Sequence, residues 1–138
     1  MEIRDKIGLD TGFFVKLLLG FQEAAEVYNR IIEGEVVDVV SVIVVFELRR
    51  LALRGLIDRQ AYEVLERSWP VLFQVESVDR ELALEAASIS HGTGLPAAGA
   101  LIYTTCKGSG SDSFYTVDPH FKAVSWKRPR IILLGEGV

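Results

Sequence analysis

A chain of 138 residues, 49% of them hydrophobic, has the length of one domain and enough apolar mass to bury most of the surface its unfolded form exposes, so residues 1–138 are expected to form a single unit. Fifteen Lys+Arg against 19 Asp+Glu give a net charge of −4, which excludes the global basic excess of a typical nucleic-acid binder and leaves any contact with phosphates to a local patch. The one cysteine, Cys106, excludes an internal disulfide. It falls four residues after Ile102 in an apolar helical stretch, the setting of a small buried side chain in a reducing interior.

The opening Met1-Glu2-Ile3-Arg4-Asp5 is too charged for a signal peptide, and the longest apolar run is broken by Asp38 and Ser41 and stops at Glu47, short of a membrane span. The expectation is a soluble, cytoplasmic protein.

Ile7 to Leu9, bounded by Asp10-Thr11-Gly12, predicts a buried strand that feeds a helix through a tight turn. Phe13, Phe14, Leu17 and Leu18 then recur at helical spacing up to Gly20. A second helix carries Phe21, Ala24, Ala25, Tyr28, Ile31 and Ile32 on an apolar stripe that Gly34 terminates. Val36 to Val42 is rich in β-branched residues and nearly continuous in apolarity, as in an interior strand of a parallel sheet covered on both faces. From Val44 the pattern turns helical, with Val45, Leu48, Leu51 and Ala52 on one face, until Gly55.

Asp58 suits the cap of a further helix carrying Tyr62, Leu65 and Trp69 and ending at Pro70, and Val71 to Val75 reads as the next strand. Asp79 caps the following helix, with Leu82, Ala86 and Ile89. After a glycine-containing loop at His91-Gly92-Thr93-Gly94, Pro96 sits in the first turn of a helix that runs to about Lys107. Phe114–Val117 and Ile131–Leu134 complete the sheet. Strands alternating with helices predict an α/β fold with a mainly parallel sheet, whose ligand site lies at the carboxyl ends of the strands.

Three acidic residues stand where a strand gives way to a helix or turn: Asp10, Glu47 and Asp118. Each has an ordinary structural reading. Asp10 can cap a helix, Glu47 can complement a helix dipole, and Asp118 before Pro119 can be a turn aspartate. Their shared position at strand exits points instead to a cation site. Carboxylates about 4 Å apart repel by roughly 4 kcal/mol per pair at the effective dielectric near a protein surface, and oxygen-only ligands suit Mg²⁺ or Mn²⁺. Such an ion stabilises charge on a phosphodiester and lowers the pKa of a bound water, so phosphodiester hydrolysis is the matching chemistry.

Leu9-Asp10-Thr11, Val42-Ile43-Val44-Val45-Phe46-Glu47-Leu48, Gly94-Leu95-Pro96-Ala97-Ala98-Gly99-Ala100-Leu101-Ile102 and Tyr115-Thr116-Val117-Asp118-Pro119-His120-Phe121, in this order, resemble the four motifs of the PIN-domain family, and within it most resemble the VapC-type toxin ribonucleases. The resemblance implies a three-layer α/β/α sandwich with a parallel central sheet, a Mg²⁺- or Mn²⁺-dependent endoribonuclease site that uses metal-bound water, frequent homodimers and a small antitoxin partner. It places the catalytic and metal-binding roles on Asp10, Glu47 and Asp118, with Thr116 and Thr11 in support. Gly99 stands where the family carries its third aspartate. Loss of that carboxylate leaves two expectations: an attenuated nuclease that acts on RNA, or a catalytically inactive PIN scaffold that binds a protein partner or RNA.

Asp112 and Asp5 precede their strands and are expected at the opposite edge of the sheet. Arg49, Arg50, Arg54, His120 and Lys122 could flank the acidic edge and meet RNA phosphates, or form a solvated helix face and a polar loop. His120 is left out of the catalytic set. A flavodoxin-like domain is disfavoured because no glycine-rich phosphate loop follows the first strand.

Overall fold

The computed structural model describes residues 3–135. Five strands, β1 (Asp5–Leu9), β2 (Val36–Ser41), β3 (Val75–Glu76), β4 (Ser113–Thr116) and β5 (Arg130–Leu133), form one sheet in the order β3-β2-β1-β4-β5. Every pairing is parallel. The helices are α1 (Thr11–Leu18), α2 (Gln22–Ile32), α3 (Val42–Leu53), α4 (Arg59–Leu72), α5 (Arg80–Thr93) and α6 (Ala97–Gly108), with a 3₁₀ turn at Pro119–Ala123.

Side-chain alternation along the central strands separates the layers. Gly8 lies beside Phe114 and Leu9 beside Tyr115 in the β1–β4 register. On one face Phe114 packs edge-on against Tyr103 of α6 and against Phe121, and a Cβ on Gly8 would come within 2.6 Å of Cys106 Sγ. Glycine at position 8 is therefore what lets α6 lie close on β1. On the other face Tyr115 meets Phe13 of α1, and Phe14 continues into a cluster with Trp69 and Phe73. Helices cover both faces, giving the expected three-layer α/β/α arrangement.

Local chemistry sets the element boundaries. Asp58 and Asp79 cap α4 and α5 by accepting backbone N–H groups of Ala61 and Leu82 at 2.8 and 2.9 Å, and Gly20, Gly34 and Gly55 take the left-handed conformation after α1, α2 and α3. Three boundaries differ from the sequence reading. The Ser41 hydroxyl accepts the Ile43 N–H at 3.1 Å, so the β-branched run becomes helical at Val42 and not at Val44. Helix α5 continues to Thr93, and Gly94 closes it at φ 79°.

Pro70 does not end α4. It lies inside the last turn, the helix runs to Leu72, and the strand expected over Val71 to Val75 shrinks to Val75–Glu76. Proline removes one N–H bond there but leaves Trp69 and Phe73, four residues apart, packed against each other and against Phe14. On α2 the buried stripe is Ala24, Val27 and Ile31, while Phe21 and Ile32 are about half exposed. Among the described residues no helix is long and apolar enough to cross a membrane.

Candidate active site

Strand order reverses direction about β1: β2 and β3 lie on one side, β4 and β5 on the other. The crevice between β1 and β4 at their carboxyl ends is thus the topological switch point of the sheet, where ligands of open α/β folds bind. Asp10 leaves β1 there, and Thr116 and Asp118 leave β4 there.

The backbone N–H of Asp10 extends the ladder by one bond to Tyr115 O, at 2.9 Å. Its carboxylate caps α1, with Oδ1 accepting the Thr11 N–H at 2.8 Å, while Oδ2 accepts the Thr116 hydroxyl at 2.6 Å. The same Thr116 oxygen accepts the Asp118 N–H at 3.1 Å. The Thr11 hydroxyl donates to Glu47 Oε1 at 2.6 Å. Two threonines therefore tie Asp10 to Asp118 on one side and the turn at Asp10 to Glu47 on the other. The helix-cap reading of Asp10 is correct, and it coexists with the convergence of the three acids at one rim.

Packing holds this arrangement close. A Cβ on Gly12 would lie 2.1 Å from Val117 Cγ2, so the first turn of α1 can sit against the exit of β4 only because residue 12 has no side chain. Asp10 is 7% exposed. Burial pushes its carboxyl up to about 6, bonds from Thr116 and Thr11 oppose the shift, and the charges of Glu47 and Asp118 add to it. Each of the other two acids is thus felt electrostatically at Asp10.

Asp118 Oδ1 accepts two bonds from His120, the backbone N–H at 2.9 Å and the ring Nδ1 at 2.7 Å. This partner lay outside the sequence-derived set. The signal for it is the Asp118-Pro119-His120 spacing, since an aspartate side chain commonly bonds the backbone two residues on. Among the described residues, no group of three or more His, Cys, Asp or Glu side chains is placed to hold a metal ion.

Gly99 occupies the first turn of α6, which has no acidic residue there and no side-chain cap. A Cβ at this position would meet the Phe121 ring at 3.5 and 3.7 Å, ordinary contact. Asp112 lies at the amino ends of the strands, as expected: its Oδ2 accepts the Lys6 N–H at 2.9 Å and its Oδ1 pairs with Arg128. Arg49 pairs with Glu66 of α4 at 3.3 Å. Cys106 is fully buried, and burial pushes its thiol well above the ordinary range, which makes it a core residue.

Among solved structures the chain resembles a toxin-antitoxin complex from Klebsiella pneumoniae (TM-score 0.67, 15% identity, covering 93% of this chain and 96% of that one). It also resembles VapBC2 from Rickettsia felis bound to a promoter DNA fragment (TM-score 0.67, 16% identity, 93% and 96% covered) and FitAcB from Neisseria gonorrhoeae (TM-score 0.62, 23% identity, 91% and 96% covered). A search of curated protein sequences gives no match. The PIN domain family model matches residues 7–127, a span that contains every rim residue named above, and the chain belongs to the PIN-domain family.

Proposed function

We propose that this chain is a divalent-metal-dependent endoribonuclease of the VapC toxin type, hydrolysing RNA phosphodiester bonds at the rim formed by Asp10, Glu47 and Asp118. The observation that supports it is the threonine linkage: Thr116 and Thr11 bring carboxylates from three distant stretches of chain to the switch point of the sheet. Structural capping alone would not require Glu47 to share in it.

The donor set fits a small hard cation. All the side-chain donors are oxygens, and Glu47 and Asp118 each keep one carboxylate oxygen that accepts no hydrogen bond from the described residues. Mg²⁺ takes few protein ligands and keeps several waters, so two carboxylates with water would serve where no group of three such side chains is gathered among the described residues. Mn²⁺ accepts the same oxygen ligands. When bound, the ion supplies charge stabilisation at the phosphodiester and a nucleophile from water at neutral pH. Glu47 and Asp118 would hold it through their free oxygens. Asp10, fixed at both of its oxygens, keeps negative charge at the centre and orders Thr11 and Thr116 around it.

Gly99 supports the second reading, a catalytically inactive scaffold. Glycine at the position of the family's third aspartate removes one carboxylate from the set, and the first turn of α6 carries no acid to replace it. Both readings accommodate a protein partner. The solved neighbours include toxin-antitoxin complexes, and α3 exposes Val42, Phe46 and Leu53, with Arg49 between them, on a mixed face suited to a small antitoxin or to a second copy in a homodimer.

Incubation of single-stranded RNA with the purified chain and Mn²⁺ separates the two readings, with Asp10→Asn as control and Gly99→Asp as restoration. Cleavage by the natural chain that Asp10→Asn abolishes supports the nuclease. Silence broken only by Gly99→Asp supports the scaffold.

A further inference from the structure

We propose that His120 is a positioning residue for Asp118, clamping one carboxylate oxygen so that the other is presented to a cation; this rests on the reading of the rim as a cation site. Two donors of one residue converge on the same oxygen: Asp118 Oδ1 accepts the His120 backbone N–H at 2.9 Å and ring Nδ1 at 2.7 Å. The backbone bond alone is the ordinary cap of the 3₁₀ turn that begins at Pro119. The ring bond is additional, and capping does not account for it.

The terminal torsion of an aspartate is broad and roughly two-fold, so a carboxylate held by one bond still rotates. The second bond removes that freedom and leaves Oδ2, which accepts nothing from the described residues, as the oxygen for a ligand. The backbone beneath is fixed as well: the Asp118 N–H is held by the Thr116 hydroxyl at 3.1 Å, and Pro119 restricts the link to His120. Because an ionised carboxylate only accepts, the bond places a proton on Nδ1. Partners of this kind orient metal ligands, and their removal typically costs ten- to a hundredfold in affinity. The His120 side chain is two-thirds exposed, so the pair adds little to folding and its effect is local orientation.

Mn²⁺ affinity, read from the free-ion electron paramagnetic resonance signal, tests the inference on the natural chain, Asp118→Asn, His120→Ala and His120→Asn. The expected result is that Asp118→Asn abolishes binding and His120→Ala weakens it about tenfold with an unchanged melting temperature. His120→Asn, whose amide nitrogen can take the place of Nδ1, should recover most of the loss. Unchanged or tighter binding by His120→Ala overturns the role, as does nitrogen coupling to the Mn²⁺ in spin-echo modulation, which would make His120 a direct ligand. Absence of Mn²⁺ binding by the natural chain overturns the cation reading and the role of His120 with it.

Discussion

Thr116 donates its hydroxyl to Asp10 Oδ2 across 2.6 Å and with the same oxygen receives the Asp118 N–H at 3.1 Å. One fully buried side chain therefore serves two acids that stand 108 positions apart in the chain. Thr116→Val keeps the shape but strips Asp10 of a donor and Asp118 of an acceptor. Leaving such groups unsatisfied costs about 1–3 kcal/mol. Urea unfolding should show a loss of that size for valine and a much smaller one for Thr116→Ser; a valine variant as stable as the natural chain would falsify the linkage.

Mn²⁺ should stabilise the natural chain against heat, because a ligand that binds only the folded state adds RT ln(1 + [L]/Kd) to its stability. Asp10→Asn removes charge from the centre of the rim, and the thermal shift on adding millimolar Mn²⁺ is expected to disappear. An equal shift in both proteins would place the cation elsewhere.

Asp38 gives a pH-dependent prediction away from the rim. It is 3% exposed, its Oδ2 accepts the Gln74 N–H at 2.9 Å, and burial raises its carboxyl pKa above the usual 3.8. The folded protein therefore holds this proton more tightly than the unfolded chain. Its contribution is fully favourable below about pH 3.8 and is lost as pH rises through the folded-state value. Asp38→Asn, which can still accept from Gln74, should raise the urea midpoint at pH 7.5 and give no gain near pH 3. A pH-independent difference would contradict the titration of Asp38.

Gly12→Ala should be disruptive although alanine is the better helix former. The added methyl would lie 2.1 Å from Val117 Cγ2, and overpacking typically costs about 1–3 kcal/mol. The displaced segment carries Asp118, so Mn²⁺ binding should weaken together with stability. Stability equal to that of the natural chain would show that Val117 yields freely.

At Gly99 the opposite holds. An added Cβ meets Phe121 at ordinary contact distance, and Gly99→Ala should gain about 0.5–1 kcal/mol in thermal or urea unfolding from helix propensity. Gly99→Asp compared with Gly99→Ala then isolates the charge. Tighter Mn²⁺ binding by aspartate at similar stability is the expected outcome, and equal affinity in the two variants counts against a ligand position there.

Much of the architecture was legible because burial pattern and punctuation agree. Ile7–Leu9 and Phe114–Val117 read as strands, within a residue or two of the observed bounds, Asp58 and Asp79 as caps, and Gly20, Gly34 and Gly55 as stops. Val42 read as strand, with the helix beginning at Val44, because β-branched residues favour strands, and the Ser41 cap moved the boundary through a bond that composition does not reveal. Pro70 misled because a proline in a last turn costs less than the aromatic packing of Trp69 and Phe73 returns. At the rim, residue types and strand-exit positions pointed to Asp10 and Asp118; Glu47, expected where the strand gives way, instead lies inside α3, whose first turn holds no acid, and meets the rim through the Thr11 hydroxyl. The pairing of Thr11 with Glu47 and of His120 with Asp118 depends on the angle at which α1 and the 3₁₀ turn leave the sheet, which packing sets.

The brevity of β3 shapes how molecules of this protein meet one another. Below its two residues, the flank of β2 is occupied by the Asp38 carboxylate bonded to Gln74, so an incoming extended segment finds few unclaimed amides on which to align. Short outer strands of this kind guard natural sheets against indefinite edgewise growth, and on this flank the protection comes from a two-residue strand beside a carboxylate already bonded to its neighbour.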